Sequence, residues 1–236
     1  MPNDNLLSIT PIDGRYASQT KFLSNYFSEF ALIKIRVEVE IEWLLLISKN
    51  KSLQFIPEVS NSQKNKIINI FKEFSIQDAK QVKKIEKKTN HDVKAVELFI
   101  VEKLKKLKLN KLCEFVHFCC TSEDINNLSY SLMLQRFLDR EFLPEANSLE
   151  KNLNSLAKKY SKLSMLAFTH GQPASPTSLG KEFSNFSYRM KFHLDQIKSV
   201  KQKGKFNGAS GNYNAHIIAE KNVNWEVLSK KFVNSL

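Results

Sequence analysis

Four short polar segments carry the side chains that could do chemistry. They are Asp13-Gly14-Arg15-Tyr16, Thr89-Asn90-His91-Asp92, Thr121-Ser122-Glu123-Asp124-Ile125-Asn126-Asn127 and Thr169-His170-Gly171-Gln172-Pro173-Ala174. Surfaces are usually covered by Lys and Glu, whereas Thr, Ser, Asn, His and Gln gathered beside apolar helical patterns are typical of pockets. Such groups suit two tasks, binding an anion and moving a proton. Thr121 and Ser122 place hydroxyls before a helical pattern, where they can cap the helix or meet a carboxylate or phosphate. Arg15 can grip an anion in a fork and Tyr16 adds a hydroxyl donor; the same stretch also reads as an ordinary turn. Asn90, His91 and Asp92 can bind a ligand, cap the next helix, or both. His170 carries an imidazole whose reference pKa of about 6.5 suits an acid working near neutrality, or it is a hydrogen-bonded structural group at a helix boundary. His117, His193 and His216 receive no role.

The elements that must position these groups are mostly helical. Gly and Pro number six each, few for a turn-rich β protein, and they fall where helices would be punctuated. Residues 62–74 space Ile67, Ile68, Phe71 and Phe74 as a helix does. Ser75-Ile76-Gln77-Asp78 resembles a capping box opening a helix to about Lys88. Asn90 or Asp92 is placed to cap the next one, whose apolar side includes Val93, Val96, Ile100, Leu104 and Leu107. A helical pattern follows from Asp124 to Glu141, and Pro144 kinks or restarts it. Ser175-Pro176 fits an N-cap and first helical position, opening a helix with Leu179, Phe183, Phe186, Met190, Leu194 and Ile197 on one side. The stretch from Ile33 to Trp43 alternates strictly, and by period alone it is a strand; it also fits a helical stripe, and no partner strand or hairpin turn is evident elsewhere. The Gly-rich stretch Gly204–His216 lacks the ending of a phosphate-binding P-loop, leaving a loop between helices or a loop lining a site.

Composition narrows the class. The apolar fraction of 42% and charged fraction of 25% are those of a soluble globular protein. The longest apolar run, Trp43-Leu44-Leu45-Leu46-Ile47, is far short of the roughly 20 residues a membrane helix needs. The opening Met1-Pro2-Asn3-Asp4-Asn5 lacks the basic and apolar parts of a signal peptide, which makes the cytoplasm the expected location. Cys113, Cys119 and Cys120 lack metal-ligand spacing and read as reduced, buried thiols. The formal charge is +12, from 36 basic and 24 acidic residues. The basic residues are overwhelmingly Lys scattered along helix faces, without the Arg clusters and aromatic platforms of a nucleic-acid reader. A solvated basic face ranks first, steering of a small anion second, and nucleic-acid binding third.

Read in order, Pro11–Tyr16, Thr89–Glu97, His117–Asn127, Thr169–Ala174 and Gly208–His216 resemble the adenylosuccinate lyase family of the fumarase/aspartase superfamily. The similarity covers essentially the whole chain. Thr-Ser-x-Asp-x-Asn and Thr-His-x-Gln are shared across the superfamily; Asp-Gly-Arg-Tyr and Thr-x-His-Asp-Val are narrower. The resemblance implies an all-α fold, with a small N-terminal helical domain over 1–111 and the first part of a long helical bundle over 112–236. It also favours the helix for Ile33–Trp43.

The activity implied is a β-elimination that releases fumarate from a succinylated purine nucleotide, either adenylosuccinate or the succinyl-carboxamide ribotide. No metal or organic cofactor, nucleic acid or membrane is implied, and the complete protein is expected to be a homotetramer. His170 becomes the acid that protonates the leaving nitrogen. Arg15, Tyr16, Asn90, His91, Asp92, Thr121 and Ser122 become substrate-binding residues. Family chains are longer, and their Ser-Ser-x-Met-Pro-x-Lys-x-Asn loop, which holds the residue resembling the base, has no counterpart here. The sequence therefore reads as an N-terminal fragment without appreciable activity alone. Two rivals remain: another lyase of the superfamily, such as an argininosuccinate lyase, and a non-enzymatic basic helical protein that binds nucleic acid or a partner helix.

Overall fold

The structure is a computed structural model and describes residues 7–236; the Met1–Asn5 start lies outside them. The described chain is helical apart from one hairpin. After two short turns of helix, α1 (Ala17–Thr20) and α2 (Ser24–Phe27), come α3 (Glu29–Ile47), α4 (Asn61–Lys72), α5 (Ile76–Thr89), α6 (Asp92–Lys106) and α7 (Ser122–Phe137). They are followed by α8 (Leu143–Lys159), β1 (Ser164–Thr169), β2 (Gln172–Ser178), α9 (Leu179–Ser199), α10 (Asn214–Ala219) and α11 (Trp225–Ser235). Two compact units result, one of residues up to Leu134 together with Lys203–Leu236, the other Gln135–Gln202.

In the first unit α3 is the central element. Ile33, Ile35, Val37, Val39, Ile41, Trp43, Leu44, Leu45 and Ile47 are all buried, which puts apolar groups around most of its circumference. A helix apolar on nearly every side belongs in a core, and this explains the alternation in the sequence: both sets of positions meet protein. Ser28 starts the helix, its Oγ accepting from the Ala31 N–H at 3.2 Å. Trp43 packs against Phe206 and Phe232, with ring centroids 4.5 and 5.2 Å away, so residues beyond Lys203 close the same core. Burying side chains of this size is worth about 1.5–3 kcal/mol each.

The capping signals resolve one by one. Ser75 and Asp78 form the expected box at α5, and Ser60 with Gln63 forms another at α4. At α6 the cap is neither Asn90 nor Asp92. Asn90 ends α5 in the left-handed region at φ 51°, and His91 caps α6, its Nδ1 accepting from the Lys94 N–H at 3.1 Å. Pro144 does not break the helix: a π turn over Leu138–Phe142 joins α7 to α8 with helical backbone at Phe137, Phe142 and Leu143, and the proline lies in the first turn of α8 just past it.

The second unit packs α8 against α9. Gly180 allows the approach, since a Cβ there would lie 2.4 Å from the Ala157 carbonyl oxygen. Ser187 donates to Glu150 at 2.8 Å across the pair. Between the helices lies an antiparallel hairpin pairing Ser164 with Ser178 through Thr169 with Gln172. Two expectations are corrected here. A hairpin turn does exist, and Ser175-Pro176 lies in β2; the cap of α9 is Ser178, whose Oγ accepts from the Lys181 N–H at 3.2 Å. Pro176 fits because a two-stranded ribbon consists of edges and tolerates a residue without a ladder donor.

Candidate active site

Two of the four polar segments are joined in the first unit, and α3 carries the joint. Arg36, whose side chain is only 6% exposed, makes an ion pair with Asp92 at 2.7 Å through Nη2. Its Nε donates to Asn126 Oδ1 at 2.9 Å. Asp92 opens α6 and accepts from its own Val93 N–H at 2.8 Å, and its carboxyl lies below the usual range. Burial opposes that shift, but the Val93 hydrogen bond and the Arg36 charge outweigh it. On the outer side of this joint His91 Nε2 lies 3.4 Å from Ser122 Oγ. One imidazole therefore caps α6 through Nδ1 and meets the first turn of α7 through Nε2. The capping and binding roles left open by the sequence coexist here in a single side chain.

Asp124 fastens a third segment to the same turn. Its carboxylate is wholly buried and accepts from the Thr121 N–H (2.9 Å), the Lys205 ammonium (2.7 Å), the Asn207 N–H (3.1 Å) and the Gly208 N–H (3.1 Å). Lys205 also donates to the Gly208 carbonyl. The Gly-rich stretch is thus clasped onto the start of α7, and Gly208 and Gly211 adopt φ of +82° and +81°, which side-chain-bearing residues rarely do. Beneath it lies His216, wholly buried with no hydrogen-bond partner for either ring nitrogen. It sits edge-on to Tyr213 and Trp225 at 5.4 and 5.0 Å, and burial pushes its pKa down.

A second buried charge one turn along α3 holds the approach to Thr121. Glu40, with no exposed surface, meets His117 Nδ1 at 2.6 Å. Burial alone would lower the His117 pKa, but the hydrogen bond and charge of Glu40 win and raise it. His117 and Cys119 adopt φ of 60° and 59°, and the Trp43 indole donates to the Phe118 carbonyl at 2.9 Å. The three cysteines are free, half-buried thiols; burial pushes Cys119 up to about 11 and raises Cys120 well above its usual value, which suits inert groups. Among the described residues no group of three or more His, Cys, Asp or Glu side chains could hold a metal.

The other two segments stand apart in character. Asp13 ties the start of its own turn, accepting from the Thr10 N–H and hydroxyl at 3.1 and 2.7 Å. Beyond it, the exposed Arg15 stacks on the Tyr16 ring at 5.6 Å; no hydrogen bond or ion pair joins either side chain to residues 89–92 or 121–127. His170 belongs to the second unit. It occupies the two-residue hairpin turn with Gly171, at φ 50° and 74°, the positive values that a type I′ turn requires. Its imidazole is exposed and makes no hydrogen bond.

Three groups in this architecture carry no sequence motif. Arg36 and Glu40 stand one turn apart on α3, but Lys34, Glu38 and Glu42 share the same alternation, so nothing local in the sequence sets the two buried charges apart. Lys205 is one of many lysines, and only its place in the Gly-rich stretch sets it apart.

The family model described as a lyase matches residues 14–235. Over 240 residues the chain is 46% identical to adenylosuccinate lyase of Buchnera aphidicola subsp. Schizaphis graminum, covering all of this chain and 52% of that protein. It is 43% identical to adenylosuccinate lyase of Escherichia coli K12 over 237 residues, again covering all of this chain and 52% of the relative. The chain thus spans about half the length of the curated relatives it matches. Fumarate lyase from Mesorhizobium sp. BNC1 superposes with a TM-score of 0.72 over 91% of this chain and 47% of that one, at 15% identity, a likeness of fold. With the family match running almost from end to end, and the superfamily's Thr-Ser-x-Asp-x-Asn motif built into a buried polar joint, the chain belongs to this lyase family, the fumarase/aspartase superfamily.

Proposed function

We propose that this chain is the N-terminal part of an adenylosuccinate lyase and contributes these polar segments to its active site. The observation that carries the reading is the identity to adenylosuccinate lyases along the whole chain; the joint of His91, Asp92 and Ser122 supports it. In the reaction a base takes the proton from the carbon beside a succinyl carboxylate. The electron pair left behind forms the carbon–carbon double bond of fumarate, and the carbon–nitrogen bond breaks. His170 gives its proton to the departing nitrogen of the purine nucleotide. Negative charge builds on the carboxylate in between, where fixed donors such as Thr121 and Ser122 lower the barrier. Arg15, Tyr16, Asn90, His91 and Asp92 hold the remainder of the substrate, adenylosuccinate or the succinyl-carboxamide ribotide.

The second unit exposes Phe168, Phe186, Tyr188 and Phe192, each more than half accessible. Aromatic surface on that scale supports assembly with further helices, and a homotetramer of the complete protein fits it. The domain boundary of that protein falls near residues 111–112, after α6. No helix among the described residues is long and apolar enough to cross a membrane, in keeping with a cytoplasmic enzyme. The test is to co-produce this chain with the C-terminal half of the Escherichia coli relative and follow fumarate release from adenylosuccinate. Turnover by the pair and none by this chain alone is expected. An assembled pair that binds adenylosuccinate but releases no fumarate, or turns over another succinylated amine instead, overturns the reading.

A further inference from the structure

We propose that Arg36 is a positioning residue, a buried cation that sets His91 against Ser122 by gripping Asp92 and Asn126 at once. The proposal rests on reading residues 89–92 and 121–127 as one substrate site. Asp92 is the first residue of α6, beside the cap His91; Asn126 lies one turn into α7 beyond Ser122. A single planar guanidinium contacts both, Nη2 to Asp92 at 2.7 Å and Nε to Asn126 at 2.9 Å. The starts of two helices are thereby fixed to a third, and the 3.4 Å approach of His91 to Ser122 lies on the outer side of that joint.

The chemistry needs Arg. Its fork presents several donors in one plane, whereas a lysine ammonium is a single point that cannot span both acceptors. Charge balance alone would not need the second contact, because Asn126 is neutral. Stability alone is an equally poor account, since a buried ion pair is often no better than apolar packing. What the arrangement supplies beyond either is a fixed distance between two polar segments.

The test uses the 236-residue chain and reads geometry without turnover, so its failure is separable from failure of the lyase reading. Three variants are compared with the parent: Arg36→Lys, Asp92→Asn, and Arg36→Met with Asp92→Asn. The readouts are the His91 ring resonances, their cross-relaxation with Ser122, amide exchange and the thermal midpoint. In Arg36→Lys, exchange at residues 91–94 and 122–126 is expected to rise about tenfold while α4 keeps its protection. Asp92→Asn strands the buried Arg36 guanidinium, whereas the double variant carries no unpaired buried charge, so its midpoint should lie above that of Asp92→Asn and return toward that of the parent. It should nevertheless lose the His91–Ser122 cross-relaxation that Asp92→Asn alone retains. If the double variant keeps that signal, Arg36 only neutralises Asp92 and the proposal is overturned. A uniform rise in exchange across the first unit overturns it too. Should Arg36→Lys fail to fold, the double variant still decides.

Discussion

The polar groups of the first unit and the imidazole of the second are held in opposite ways. In the first unit Arg36, Glu40 and Asp124 are buried and each is paired, to Asp92 and Asn126, to His117, and to Lys205 with three backbone N–H groups. Their positions are fixed by this chain's own core. In the second unit His170 stands on an exposed two-residue turn, with Phe168 accessible beside it and no bond to its ring. Buried charges must be paired where they stand or they cost several kcal/mol, so the first site is built with the fold. An exposed turn residue carries no such demand and is free to be completed by other surfaces. The contrast separates groups fixed by this chain's own core from one that this chain leaves open.

The largest expected effect tests the exposed side. In the co-produced lyase, His170→Ala should lower kcat by about 10²–10⁴ fold, the usual worth of a general acid, with a much smaller change in KM. Because the ring is exposed and makes no hydrogen bond in this chain, the thermal midpoint of the isolated chain should hardly move. Equal losses in kcat and affinity would remove His170 from the proton-transfer role. The buried side answers oppositely. Asp124→Ala removes the acceptor of three N–H groups and the carboxylate partner of Lys205, and should destabilise the first unit by about 1–3 kcal/mol, the cost of leaving buried donors unsatisfied. Urea unfolding measures it, with amide exchange of residues 204–216 rising first. A midpoint shift equal to that of an ordinary surface variant would mean the clasp contributes nothing.

The same division governs what could be read from the residues alone. Helices whose apolar groups repeat at helical spacing and whose caps are local, such as α4 and α5, were legible because their determinants lie within one turn. So was the family, because Thr-Ser-x-Asp-x-Asn and Thr-His-x-Gln are contiguous. The hairpin was not: Thr169-His170-Gly171-Gln172 lacks the Asn-Gly or Asp-Gly that usually announces a type I′ turn, and Ser175-Pro176 imitated a helix start. The alternation of α3 was ambiguous because its period reports burial on all sides, which depends on neighbours distant in sequence. Arg36, Glu40 and Lys205 escaped for that reason as well. Each is given meaning by a partner far along the chain, Asn126, His117 and Asp124 respectively.

The smallest effect lies within the first unit and sets its two unassigned imidazoles against each other. His117 is raised by Glu40, so its contribution to stability is complete below the unfolded value of about 6.5 and is lost as pH rises through the folded pKa. His216 is lowered by burial, so its contribution is complete above about 6.5 and is lost as pH falls through the folded pKa. The parent chain should therefore lose stability on both sides of neutrality. His117→Gln should flatten the alkaline limb and leave the acid one. His216→Phe, which replaces one buried ring with another and removes the proton acceptor, should flatten the acid limb and leave the alkaline one. Urea midpoints measured across about pH 5 to about pH 8, where unperturbed imidazoles titrate, read both limbs. If both substitutions altered the same limb, the division between an imidazole paired with Glu40 and one buried without a partner would fall.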